Sequence, residues 1–463
     1  MKRSDRAAEA LRRGLAVARA IAKASAGGAG ILAALGVCAL SLRLLAASPS
    51  ATDQAFEQFW NATSPEAAAK IVDAIVKSGV SFDDALARLK KGRPYRSDVP
   101  RGIVKLSHRI GADEFPYQVE VPESYDPAKK YQVRIQLHGG VGRPDAAARG
   151  NGIGQLAGVE QIYVLPTAWS AAEWWTDRQL ENLHEILDTV KRTYNVDENH
   201  VVAAGVSDGA TGLYYVAMRD TTPFASFLPL NGFMMVLAND RVGADTELFP
   251  TNLLNKPLFV VNGGEDPLYP IRSVEPYVGH LRGSGVKVDY HPRPEAGHNT
   301  AWWPEMKETF ETFVRDHPRN PYPDTVTWEA TDHDLPARAH WVVIDRIRQA
   351  AASEPRLEPD LNVFSGAGPN QGRELFGRSR PSGRIDAHRA GNAIELRTRG
   401  VAELTLLLSP DVFDFSQPVR VTANGRTVAD GVQQPSLATL MKWAARDNDR
   451  TMLFGGEIHV SIK

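Results

Sequence analysis

Apolar positions change their period along this chain, and each change marks a different kind of element. Between residues 51 and 93 they fall at helical spacing: Ala68, Ile71, Val72, Ile75 and Val76, then Phe82, Ala85, Leu86 and Leu89. Ser64-Pro65-Glu66 supplies a helix start, a hydroxyl for the free N–H groups followed by a proline already at helical φ. The expectation is a small helical segment over residues 51–94, packed on the body that follows and carrying no chemistry. Beyond residue 100 the pattern shortens to apolar runs of strand length, at residues 102–108, 117–121, 133–137, 162–165, 201–204, 258–261 and 286–291. Helical stretches alternate with them. One begins at Thr176, where Thr176 and Gln179 have capping-box spacing, and carries the stripe Leu180, Leu183, Leu187, Val190 and Tyr194. His184 lies beside that stripe and reads as a packed surface histidine. Another helix covers residues 209–218. Strands alternating with helices predict an α/β fold with a doubly wound, mostly parallel sheet.

The texture changes at Pro318, Pro321 and Pro323, which mark a linker. Strand-like runs follow at residues 340–344, 393–397, 404–408, 419–423 and 458–462, with a hairpin signal at Asn424-Gly425. Residues 364–392, rich in Gly, Ser, Arg and Pro, read as a flexible loop. The boundaries expected are therefore 95–320 for the main body and 321–463 for a smaller β-rich accessory domain.

Charge separates the N-terminus from the rest. The 463 residues carry a net charge of −2, yet residues 1–50 hold eight Lys or Arg against Asp5 and Glu9, which leaves the remainder at −8. A body that acidic argues against a nucleic-acid partner. The basic N-terminal stretch precedes an apolar, small-residue run over residues 29–47, broken by Arg43, and reads as an export signal or a membrane anchor. An exported protein, periplasmic, anchored or secreted, is expected. The single cysteine, Cys38, lies within that run, so disulfides and thiol catalysis are not expected. No histidine or cysteine spacing suits a metal. Gly152-Ile153-Gly154-Gln155-Leu156-Ala157 matches the dinucleotide fingerprint formally but follows no strand, so no nucleotide cofactor is implied.

The chemistry centres on Gly205-Val206-Ser207-Asp208-Gly209, which joins the apolar run 201–204 to the helix at 209–218. A serine there sits on a sharp strand-to-helix turn that lifts its hydroxyl clear of the sheet. Serine is a poor nucleophile without a base and an oxyanion site. Other run ends supply candidates. His138-Gly139-Gly140 offers the N–H of Gly139 or Gly140 for the oxyanion, with Asp208 N–H as the second donor. Asn262-Gly263-Gly264-Glu265-Asp266 offers Asp266 as the acid, with Glu265 its adjacent rival. Gly297-His298-Asn299 offers His298 as the base. The Asp208 carboxylate suits a helix N-terminus and is expected to point away from the developing charge. Aromatic residues gather nearby. Trp302, Trp303 and Tyr269 are the candidates for the substrate wall, as against ordinary core packing.

On these motifs, residues 95–317 resemble the α/β-hydrolase superfamily, in particular esterases like dienelactone hydrolase, phospholipase/carboxylesterase and polyhydroxybutyrate depolymerase. The resemblance implies a serine–histidine–aspartate triad of Ser207, His298 and Asp266, a carboxylic ester as substrate, small or polymeric, and no cofactor. Two alternatives stand beside it: a peptidase of the prolyl-oligopeptidase-like branch, and a non-catalytic binding protein on a hydrolase scaffold. Since all three triad residues precede Pro318, a chain ending near Asn320 is expected to retain small-ester hydrolysis if it folds, and loss of solubility would point to a covering role for the remainder.

Overall fold

The apolar runs pair into one eight-stranded sheet whose centre is buried on both faces. The computed structural model describes residues 49–142, 156–242, 244–351, 353–367 and 369–462. The export or anchor segment, Cys38 included, and the stretch 152–155 lie outside them. Two units are distinguished, residues 1–54 and 55–463. No helix of the described residues is long and apolar enough to cross a membrane.

The strands are β1 (Gly102–Ile110), β2 (Asp113–Val121), β3 (Tyr131–Leu137), β4 (Ile162–Pro166), β5 (Val196–Val206), β6 (Ser226–Leu230), β7 (Leu258–Gly263) and β8 (Val288–Arg293). Their order is β1-β2-β4-β3-β5-β6-β7-β8. β1 and β2 form an antiparallel hairpin, β2 joins β4 antiparallel, and every later pairing is parallel. β6 was hidden in the sequence because its five residues include Pro229 and no alternation. Both faces are covered, as a parallel sheet requires.

Four short helices lead in: α1 (Ala51–Asn61), α2 (Pro65–Ala69), α3 (Val72–Lys77) and α4 (Phe82–Lys91). Ser64 and Ser81 cap α2 and α4, each hydroxyl accepting a backbone N–H three residues on. The main body adds α5 (Asp177–Thr193), α6 (Asp208–Arg219), α7 (Ile271–Gly283) and α8 (Trp303–Asp316). The capping box expected at α5 does not form. Thr176 Oγ1 donates to the Glu173 carbonyl, and Gln179 is drawn inward, its Nε2 donating to the carbonyls of Thr167 and Ala172.

After the linker come β9 (Thr325–Thr331), β10 (Ala337–Ala339), β11 (Val342–Ile347), β12 (Ser382–Ala390), β13 (Ala393–Arg399), β14 (Val401–Leu408), β15 (Pro418–Ala423), β16 (Arg426–Val432), α9 (Leu437–Asp447) and β17 (Gly456–Ser461). They build sheets β10-β11-β14-β17 and β16-β15-β13-β12-β9. Both contribute to one apolar core that includes Trp328, Trp341, Ile385, Leu404, Val421 and Phe454. Residues 382–390, expected within a loop, form β12.

The accessory region shares part of its packing with the main body. Leu361, Phe364, Leu375 and Phe376 are buried in the same core as β3, β5 and α6. Asn252 donates to the carbonyls of Met218 and Glu329, and His280 on α7 bonds Ser365 and the Leu361 carbonyl. At the other end the leading helices pack on α9: Phe56, Phe59, Ile75 and Leu89 share a cluster with Leu440, Met441 and Leu453. The sequence placed that segment on the main body; its apolar face is instead completed from the far end of the chain.

Two outcomes follow. A chain ending at Asn320 strips the lid from this core and is expected to give no soluble, cooperatively unfolding protein, the outcome that marks a covering role for the accessory region. In the full chain, Phe364→Ala should lower the unfolding free energy by about 3–5 kcal/mol, measured by urea denaturation. A second test concerns His340, fully buried at φ 52, with its Nδ1–H on the Pro321 carbonyl and Nε2 unpartnered. Burial, aided by the nearby Lys256 and Arg319 charges, pushes its pKa well down. The unfolded chain therefore binds a proton below pH ~6.5 that the folded chain refuses, and stability falls with acidification. His340→Asn, whose side chain tolerates that φ, should gain stability relative to the parent as pH drops from 7 to 5. A constant difference would exclude this.

Candidate active site

β5 delivers Ser207, the candidate nucleophile. Its residues from Val201 are buried on both faces, and the chain turns at Ser207 (φ 58, ψ −120) directly into α6. Only glycines permit the turn. A Cβ on Gly205 would lie 2.4 Å from the Gly209 carbonyl oxygen, and one on Gly209 would lie 2.2 Å from that of Leu137. The strand and helix are pressed together at those two positions, which is why the serine between them stands proud.

Ser207 Oγ lies 2.9 Å from His298 Nε2, and His298 Nδ1 lies 2.7 Å from Asp266 Oδ2. The Asp266 side chain is fully buried. Its other oxygen accepts the N–H groups of Leu268 and Tyr269 at 2.8 and 2.9 Å, which satisfies it where water is excluded. Asp266 comes from the end of β7 and His298 from the loop after β8, all at carboxyl ends of parallel strands. Glu265, the rival acid, is exposed and outside the relay. Tyr269 is half-buried, its ring 5.7 Å from the His298 ring, and its hydroxyl pKa is raised by burial and then by the Asp208 and Asp266 charges.

The oxyanion turn is tied down on three sides. Trp174 Nε1 donates to the His138 carbonyl at 2.8 Å. The His138 ring accepts Ala168 N–H at Nε2 (3.1 Å), so its proton is on Nδ1, donated to the Gly139 carbonyl at 2.9 Å. Burial lowers its pKa, in keeping with this neutral form. A methyl on Gly139 would stand 2.8 Å from Ser207 Cβ, so the turn runs against the nucleophile. The N–H groups of Gly139, Gly140 and Asp208 have no hydrogen-bond partner among the described residues. The Asp208 carboxylate is tied to this turn. Its Oδ2 accepts the Val141 N–H at 2.9 Å.

Trp302 and Trp303 do not form a substrate wall. Only 4% and 5% exposed, they pack with Phe310, Phe313 and Leu156 in the core on that side of the sheet. Missed by the sequence reading were Asn231 and Asn262. Asn231 (φ 51) donates to the Asn299 carbonyl beside His298, and Asn262 donates to the Gly232 carbonyl. Each is an asparagine ending an apolar run, a signal that could have flagged them. His184 pairs with Asp220 at 2.8 Å. It lines a cavity of about 660 Å³ between α5 and the accessory region, which none of the triad residues line. Its charges are mostly paired internally, as in Arg338–Asp447 and Arg319–Asp449. Among the described residues no group of three or more His, Cys, Asp or Glu is placed to hold a metal.

No protein-family model matches the chain, and no curated protein does. Solved structures do. A thermostable esterase is 20% identical over 47% of this chain and 63% of its own, with a TM-score of 0.37. The chain thus spans less than two thirds of that esterase. A ferulic acid esterase is 19% identical over 46% of this chain and 98% of its own (TM-score 0.36). Esterase 2 of Thermogutta terrifontis is 14% identical over 48% and 97% (TM-score 0.39).

The relay makes its own prediction. Asp266→Asn should favour the wrong His298 tautomer and cut turnover by about 10⁴, as in a comparable triad, while Glu265→Gln leaves it nearly intact; the reverse ranking would reassign the acid. Strand order, the strained serine between β5 and α6, and the Ser207–His298–Asp266 relay together give the main body the α/β-hydrolase fold.

Proposed function

We propose that the protein is an exported serine hydrolase that cleaves carboxylic esters through an acyl-enzyme on Ser207. The observation that carries the reading is the unbroken relay from Ser207 Oγ through His298 to buried Asp266. His298 takes the Ser207 proton as Oγ attacks the carbonyl carbon. Asp266 holds the imidazole with Nδ1–H toward itself and stabilises the imidazolium. The negative charge on the tetrahedral oxygen is met by the N–H groups of Asp208 and of Gly139 or Gly140, which have no partner among the described residues. His298 then gives its proton to the leaving alcohol, and water reverses the sequence to release the acid. None of these steps calls for a cofactor. Tyr269, beside His298 and half-buried, is the residue proposed to line the acyl or alcohol side. The basic-then-apolar pattern of residues 1–47 supports export.

An ester is favoured over a peptide for a physical reason. An amide nitrogen must be protonated as it leaves, which needs a closely held substrate, whereas an ester's alcohol leaves more readily. The complete triad also disfavours a mere binding scaffold. Short-chain p-nitrophenyl esters should be turned over far faster than matched peptide p-nitroanilides. Comparable kcat/KM values for the pair would move the protein to the peptidase branch.

A further inference from the structure

The serine-hydrolase reading leaves one charged group at the site without a role. Asp208 follows the nucleophile and opens α6, yet its side chain leaves the helix and takes the N–H of Val141. Val141 is 2% exposed and belongs to the same core as β3, and the bond it gives Asp208 is part-buried. Its position matters more than its strength. In the turn 138–141, the His138 carbonyl is held by Trp174, the Gly139 carbonyl by the His138 ring, and the Val141 N–H by Asp208. Unpaired among the described residues are the two N–H groups between those ties, Gly139 and Gly140. In a trans peptide the C=O and the following N–H point in opposite directions. Drawing the Gly139 carbonyl onto His138 therefore turns the Gly140 N–H away from that ring.

We propose that Asp208 is a positioning residue: by latching Val141, its carboxylate fixes the oxyanion turn at the right distance from the second donor, its own backbone N–H. One residue thus sets the separation of the two halves of the oxyanion site. The inference rests on Ser207 being the nucleophile. The latch needs an acceptor, not a charge. A carboxylate this near a developing oxyanion opposes it, and the N-terminal end of α6 offsets that charge only in part. Asparagine offers the same acceptor without the charge.

The test is steady-state hydrolysis of p-nitrophenyl butyrate by the full chain, together with inhibition by a trifluoromethyl ketone, which becomes a tetrahedral oxyanion on the serine. Asp208→Ala should lower kcat about 10- to 100-fold, less than the 10²–10³ lost with a whole oxyanion donor. KM should hardly move, and ketone affinity should fall by the same factor as kcat. Asp208→Asn should restore most of the loss. Should the alanine variant not fold, Asp208→Met removes the acceptor while keeping the bulk. The latch is overturned if either truncation keeps wild-type kcat and ketone affinity, if the loss appears in KM alone, or if asparagine is as poor as alanine. Ser207→Ala separates the two levels: if it still hydrolyses the ester at the parent rate, the serine-hydrolase reading itself fails, whatever Asp208 does.

Discussion

Everything at the site depends on a backbone conformation that an L-residue avoids. Ser207 is held at φ 58 and ψ −120, which costs of order 1–3 kcal/mol and persists only where surrounding structure over-determines it. The over-determination is visible. Ser207 N–H donates to the Leu230 carbonyl at 3.0 Å, Gly205 is in register with Leu137 on one side and Pro229 on the other, and α6 is buried from Gly209 to Met218. The strain is absorbed by the most buried part of the sheet. Freed of it, the serine would fall back toward the strand and lose both His298 and the donors at its flanks.

The same logic explains why the remaining parts cannot be trimmed away. A parallel sheet needs cover on both faces, and part of that cover comes from residues 361–376. An aromatic series connects them to the histidine of the relay: Phe364 to Tyr277 at 4.9 Å, Tyr277 to Phe233 at 5.2 Å, Phe233 to Tyr269 at 6.5 Å and Tyr269 to His298 at 5.7 Å. Buried charge ties the linker in as well. Arg319 meets Asp449 at 2.7 Å with both side chains 1% exposed, and Arg319 and Lys191 together hold the Asp449 pKa well down. Such a pair adds little net stability but is costly to break one-sidedly.

What the sequence made legible was local. The elbow, the oxyanion turn, the acid and the base each end a short apolar run, and the order of runs along the chain implies a sheet with its loops at one end. Ser207, Asp266 and His298 could be read that way because strand and loop are neighbours in sequence. What stayed hidden depends on contacts between distant residues. That Leu361 and Phe364 complete the core of β3 and β5, or that α9 covers Phe56 and Ile75, is set by the tertiary fold. No periodicity carries it. Trp302 and Trp303 follow His298 closely, yet the start of α8 turns them into the core. Asp208 looked like a helix-capping carboxylate, and only the proximity of Val141 shows where it goes.

The most direct test of the central claim, that Ser207 is an activated nucleophile, is chemical. The folded protein is treated with a fluorophosphonate probe at neutral pH, digested, and mapped by mass spectrometry. The expected result is one adduct, on the peptide containing Ser207, absent from Ser207→Ala and from heat-unfolded protein. An unmodified Ser207 in folded protein, or equal labelling of the Ser207→Ala variant, would contradict it.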